Sequence, residues 1–281
     1  MKRINGMLLA SIIPFFILIF LFLFVPLFFM IYGSFQTDDG TGFTFKQYLT
    51  VFQNTYYHQA FINSILISLI SSFIAIMFAV FATYSLTLFS KKIQDRILVF
   101  ANLTSNFAGI PLAFAFIVLL GNSGLFTIFF RQFGWDTLSS FNLYSWSGLV
   151  LIYVYFQLPL AVMLLYPVYQ GIQNQWKEAA SLLGASSVQF WLRIGFPVIL
   201  PSIAGTFSIL FANAMGAYAS AYALTGSTYN LVTIRIGALT SGDIFAKPEL
   251  GSAVAVILGL TLVAAMLINE WLTRKVRRDL S

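Results

Sequence analysis

Six stretches of at least 22 residues run through this chain with no charged side chain, apart from a single Glu270 near the end of the last one. A bilayer's hydrocarbon core, about 30 Å thick, takes about 20 apolar residues in a helix, and no aqueous fold needs six such runs. They are Met7 to Tyr32, Phe61 to Phe89, Ile97 to Leu120, Ser147 to Tyr169, Val198 to Tyr222 and Leu250 to Trp271. Within them the apolar residues, 31 phenylalanines prominent among the chain's total, follow one another without a helical or strand period, the pattern of helices that face lipid on their outer side. Only 9% of the 281 residues are charged, where a soluble domain carries about 25%. The expected fold is therefore all-α, a polytopic membrane helix bundle of six transmembrane helices forming one domain over residues 1–281. Met1-Lys2-Arg3 before an apolar run has the charge pattern of a signal peptide, but the run to Tyr32 is too long for a cleaved one and is read as an uncleaved first span.

The net charge of +6 is explained by sidedness before any nucleic acid is invoked. Cytoplasmic loops collect Lys and Arg. Eleven of the fifteen such residues fall in one alternating set: Lys2 and Arg3, the turn with Lys91, Lys92 and Arg96, the loop with Lys177 and Arg193, and the tail Arg274, Lys275, Arg277 and Arg278. The opposite loops hold only Lys46, Arg131, Arg235 and Lys247. Both termini are thus expected in the cytoplasm, with the chain crossing the membrane six times. The outer loops, rich in short apolar pieces such as Leu125 to Phe130, are too brief to house an enzyme domain.

The most informative segment is the cytoplasmic loop 170–197, between the fourth and fifth spans. Glu178, Ala179, Ala180, Leu182 and Leu183 favour a helix, Gly184 offers its stop, and Val188 to Ile194 begin a second helix that Pro197 interrupts. The alanine pair suits close approach of another surface, beside a carboxylate at Glu178 and an apolar contact at Leu182 and Leu183. Glu178-Ala179-Ala180, a Gly four residues later at Gly184, and Ile194 and Pro197 beyond it resemble the signature of permease subunits of ABC importers that work with binding proteins. Phe196 stands where that pattern has Leu. The resemblance extends to the six spans and to the motif's place before the fifth, and it implies a type I permease fold. By that resemblance the loop is the coupling helix that docks on a cytoplasmic ABC ATPase dimer, with ATP and Mg on that partner and no cofactor in this chain. It further implies a second permease subunit, identical or different, and an extracytoplasmic substrate-binding protein. The overall look is closest to the subgroup for spermidine/putrescine, phosphonate or ferric ion.

Missing chemistry narrows the alternatives. No Gly-x-x-x-x-Gly-Lys-Ser/Thr phosphate loop occurs, so this chain is expected to transport and not to hydrolyse ATP. All nine acids stand in loops or at span ends, which disfavours proton coupling through intramembrane carboxylates. The one histidine, His58, lies in an outer loop and there is no cysteine, so no metal site or catalytic residue is expected. A self-sufficient channel or sodium-coupled secondary transporter stays open as the alternative. A candidate pathway is marked by the polar Ser105 and Asn106 in the third span and by Asn213, Met215 and Tyr218, which flank a stripe of small residues in the fifth. Ala212, Gly216 and Ser220 repeat every four residues there, a spacing for close helix contact. Pro111, Pro159 and Pro201 are expected to kink their spans.

Overall fold

The computed structural model of the chain describes residues 12–241 and 246–279. The start of the first predicted span, with Lys2 and Arg3, and the pair Gly242-Asp243 lie outside the described residues. Among those described, the architecture is all-α, its only strand-like pairing an isolated bridge between Gln36 and Phe43. Six helical stretches are long and apolar enough to cross a membrane. The helices in chain order are α1 (Ile12–Gly33), α2 (Lys46–Gln53), α3 (Thr55–Thr87), α4 (Lys91–Asn106), α5 (Ile110–Leu120), α6 (Leu125–Gln132) and α7 (Asp136–Ser139). There follow α8 (Trp146–Gln170), α9 (Asn174–Leu182), α10 (Ser187–Met215), α11 (Tyr218–Thr225), α12 (Val232–Ser241) and α13 (Pro248–Asp279).

Two compact units are present, and α3, α12 and α13 each run from one into the other. The first holds residues up to 60 with 235–261. Its α1 buries none of its most apolar stretch, as expected of a helix solvated by lipid. Beyond α1 the chain folds back on an aromatic cluster in which the rings of Phe43, Phe45 and Tyr48 lie 5.1–5.5 Å from that of Phe35. Asp38 ties this loop to α2 by accepting from Gln47 Nε2 at 2.8 Å and pairing with Lys46 at 3.3 Å. Those partners, Gln47 foremost, hold the Asp38 carboxyl below its usual range.

The second unit, residues 61–234 with 262 onward, is organised by α8. Gln157 at its middle is fully buried, accepting from Ser72 Oγ at 2.8 Å and donating to Ser71 Oγ at 3.0 Å on α3. In lipid a polar side chain needs such partners, and here they pin one span against another. One apolar cluster centres on Leu149, Ile152 and Tyr153, a second on Ala161, Leu165 and Tyr169 with the loop residues Ala180 and Phe190.

Two spans differ from their expected form. The third is not one helix from 97 to 120: α4 starts at Lys91 and stops at Asn106, and α5 begins only after Gly109. Gly109 adopts φ +77°, a left-handed conformation that side chains resist, and Pro111 sits in the first turn of α5, where its missing N–H costs no helical bond. Pro111 thus starts a helix instead of kinking one, whereas Pro159 and Pro201 lie inside α8 and α10. The fifth span begins earlier, at Ser187, and ends at Met215, with α11 resuming at Tyr218. The Ala212, Gly216, Ser220 repeat is therefore no continuous helical stripe, because Gly216 stands at the break.

Candidate functional site

Local chemistry shapes the 170–197 loop turn by turn. Helix α9 ends in a Schellman motif: Gly184 takes φ +81°, the Ala185 N–H donates to the Ala180 carbonyl at 2.9 Å, and the Gly184 N–H donates to that of Ser181 at 2.9 Å. Two residues later a capping box opens α10. The Ser186 N–H donates to Gln189 Oε1 at 2.8 Å, and the Gln189 N–H donates to Ser186 Oγ at 3.3 Å. A π turn over Trp191–Gly195 follows, in which the Phe196 N–H reaches back five residues to the Trp191 carbonyl. The turn comes just before Pro197, which has no N–H to give and whose ring crowds the carbonyl four residues back. The same device appears in α1, where the π turn Phe20–Phe24 precedes Pro26.

This build decides which predicted residues face outward. Leu182 and Leu183 are each 89% exposed at the tip, with Glu178 and Ala179 exposed on the same helix. Ala180, expected to receive another protein's surface with Ala179, is buried in its own chain beside Ile172 and Phe190. Close approach from outside therefore falls to Ala179 alone. Ile194 is 37% exposed and Pro197 partly covered.

Trp191 anchors the loop to the spans. Its ring lies edge-on to Tyr84 of α3 at 4.9 Å and tilted to Tyr169 of α8 at 6.0 Å, while Lys177 Nζ of α9 stands 5.5 Å above it. The indole fits because position 195 is glycine; a Cβ there would fall 2.4 Å from Trp191 Cε3. A polar knot beside it fixes the α3–α4 turn. Tyr166 donates to Gln94 Oε1 and accepts from Lys91 Nζ at 3.3 Å, and Gln94 Nε2 donates to the Phe89 carbonyl at 2.8 Å. The Tyr166 hydroxyl, with Asp95 3.3 Å from the ammonium, raises the Lys91 pKa above its usual value. Sequence reasoning passed over Trp191, although Pro197 six residues on marks its π turn, as Pro26 does after Phe20, and Gly195 leaves room for its ring.

The pathway candidates divide. Asn213 and Tyr218 are exposed, and Tyr218 stacks on Tyr222 with ring centroids 5.3 Å apart. Met215 is instead buried at 2%. Asn106 Nδ2 donates to the Asn102 carbonyl at 2.8 Å, and Ser105 Oγ to that same carbonyl at 2.9 Å, so both serve the frayed end of α4. Just beyond, the two broken spans meet: the Gly109 N–H donates to Ser220 Oγ at 2.8 Å, and Ser220 Oγ lies 3.3 Å from the Gly109 carbonyl. The carbonyl freed at Ala217 accepts from the buried Tyr153 hydroxyl of α8 at 3.0 Å. Irregular backbone at membrane depth must be satisfied in this way. No group of three or more His, Cys, Asp or Glu that would hold a metal occurs among the described residues.

Comparison with known proteins places this geometry. Residues 75–278 match the family model described as binding-protein-dependent transport system inner membrane component. The chain is 27% identical over 269 residues to the spermidine/putrescine transport system permease protein PotB of Haemophilus influenzae, covering 92% of each. It is 32% identical over 171 residues to the probable sulfate transport system permease protein cysT of Prototheca wickerhamii, 58% of this chain and 66% of that protein. Among solved structures, a bacterial ABC transporter involved in the import of the acidic polysaccharide alginate superposes with a TM-score of 0.76 at 18% identity, over 98% of this chain and 96% of that one.

Proposed function

The chain belongs to the binding-protein-dependent transport system inner membrane components, and from that premise we propose a division of labour for its parts. It is a multi-pass permease subunit of an ABC importer in the inner membrane. Membership of this family sets aside the self-sufficient channel and the sodium-coupled carrier.

In the proposed mechanism helix α9 docks in a cleft of a cytoplasmic ATPase dimer, where ATP and Mg bind. The observation that carries this is the pair Leu182 and Leu183, 89% exposed on a rigidly terminated helix that also bears Glu178. Burying a leucine gains roughly 1.5–3 kcal/mol, so two at one tip favour a partner over water. Both termini lie on that same cytoplasmic side. A second permease subunit completes the pathway, and an extracytoplasmic binding protein delivers a small hydrophilic solute from the polyamine, phosphonate or ferric ion classes. Asn213 and Tyr218 face the solute's route, and the binding protein sets selectivity. ATP hydrolysis alternates access by moving α9, with Trp191 passing that motion to α3 and α8.

The test is a pull-down of the tagged chain, co-expressed with its ATPase and partner subunits, comparing wild type with E178R and with the double variant L182D/L183D. Loss of the ATPase in both, with an unchanged thermal midpoint for the membrane subunits, supports the docking role. An ATPase that stays bound to the double variant ends it.

A further inference from the structure

Beside the Trp191 anchor the second unit carries two adjoining cavities of opposite character, and neither enters the docking role. One, of about 380 Å³, lies between α3 and the start of α10, walled by Val80, Phe81, Val188, Leu192, Phe196 and Ile199. The other, of about 720 Å³, is lined by the amides of Gln94, Gln170, Gln173 and Asn174 and by Lys177. Tyr169 and Trp191 wall both, so the two meet at that aromatic pair. Both sizes fall in the range of small-molecule sites.

Three observations identify the occupant. No carboxylate lines the polar chamber among the described residues, and Lys177 makes no ion pair there; with Gln94 Nε2 held by the Phe89 carbonyl and Gln170 Nε2 by Tyr166, the chamber offers an anion the Lys177 ammonium and the amides of Gln173 and Asn174. The apolar chamber opens from hydrocarbon-facing helices: Phe81, Val188 and Leu192 are each more than 60% exposed. Tyr84, Tyr169 and Trp191 at the junction, with a lysine beyond them, reproduce the aromatic and basic edge that membrane proteins set at the headgroup level. A free anion has no use for the apolar chamber. An amphiphile uses both.

We propose that this bipartite cavity binds one anionic phospholipid of the inner leaflet, its phosphate in the Lys177 chamber and part of an acyl chain against Phe81 and Leu192. Basic pockets at the cytoplasmic ends of membrane helices suit such headgroups. The lipid ties α9 to the bilayer through the side of Trp191 that the protein leaves open. This site stands apart from the docking role: it concerns Lys177 and the back of the loop, while docking concerns Leu182, Leu183 and Glu178.

The experiment uses the assembled transporter, reconstituted in nanodiscs of mixed phosphatidylglycerol and phosphatidylcholine and then released for native mass spectrometry. Wild type is expected to retain one phosphatidylglycerol per copy of this chain, about tenfold over phosphatidylcholine. K177Q should cut that preference about fivefold, the worth of one basic side chain at an anionic surface. V188W, which fills the apolar chamber, should lose both lipids while its melting point in detergent holds. Equal retention of the two lipids by wild type, or retention unaffected by both substitutions, overturns the proposal. So does a cysteine cross-link from position 192 to a second permease subunit at full yield, since a protein segment then occupies the groove. Whether the ATPase remains attached is scored separately in the same spectra and bears only on docking.

Discussion

At the scale of single residues, Gly184 shows how backbone chemistry governs the loop. A side chain in its left-handed conformation costs roughly 1–2 kcal/mol, so G184V is expected to unwind the end of α9. Amide exchange over residues 174–185 should rise while the spans stay protected. Gln157 has a different dependence, because its partners are buried with it. Q157L takes the acceptor from Ser72 and leaves Ser71 only its bond to the Ser68 carbonyl, and should lower stability by roughly 1–3 kcal/mol, read as a drop in the melting midpoint in detergent. Asp38 responds to pH. Its folded pKa lies below the ordinary aspartate value, so its contribution is full above that value and fades as pH falls through the depressed one. Cleavage of the 36–47 loop by an acid protease should therefore accelerate as the pH falls below about 4 in wild type, and D38N should cleave fast throughout.

Helices and their breaks form the next scale, and here the sequence was legible in part. Long apolar runs announce spans because lipid tolerates no alternative, and Glu178, Leu182, Leu183 and Gly184 announce a helix with a stop. What hydropathy cannot show is an interruption inside a run: Phe107, Ala108 and Gly109 carry no charge and extend the uncharged run, yet the helix stops there. Such breaks depend on partners far along the chain, Ser220 for Gly109 and Tyr153 for Ala217, which periodicity does not reveal. Likewise Ala180 reads as available from its neighbours, and only the packing of Ile172 and Phe190 hides it. If Tyr153 supports the break, Y153F should weaken it by roughly 0.5–1.5 kcal/mol. Faster amide exchange at residues 216–218, without change along α8, is the expected reading; uniform exchange across α8 and α10 would mean that the hydroxyl serves the whole unit instead.

For the molecule as a whole, family membership and the six spans say that it works as one component among several, and its surface is divided accordingly. Hydrocarbon-facing phenylalanines need only lipid. The loop tip differs, since Leu182 and Leu183 stand exposed where no lipid reaches in the proposed topology. In the proposed assembly that pair gives the subunit a lifetime as well as a docking point. Until an ATPase covers it, the tip is bait for chaperones and membrane proteases, which seek apolar segments in water. Orphan copies should consequently be short-lived, and a pulse-chase in cells lacking the ATPase is expected to show faster decay than in cells that make it. The L182D/L183D double variant should decay slowly in both strains, persisting unassembled. By this reckoning two leucines set the ratio of permease to ATPase in the membrane, through the removal of whatever is made in excess.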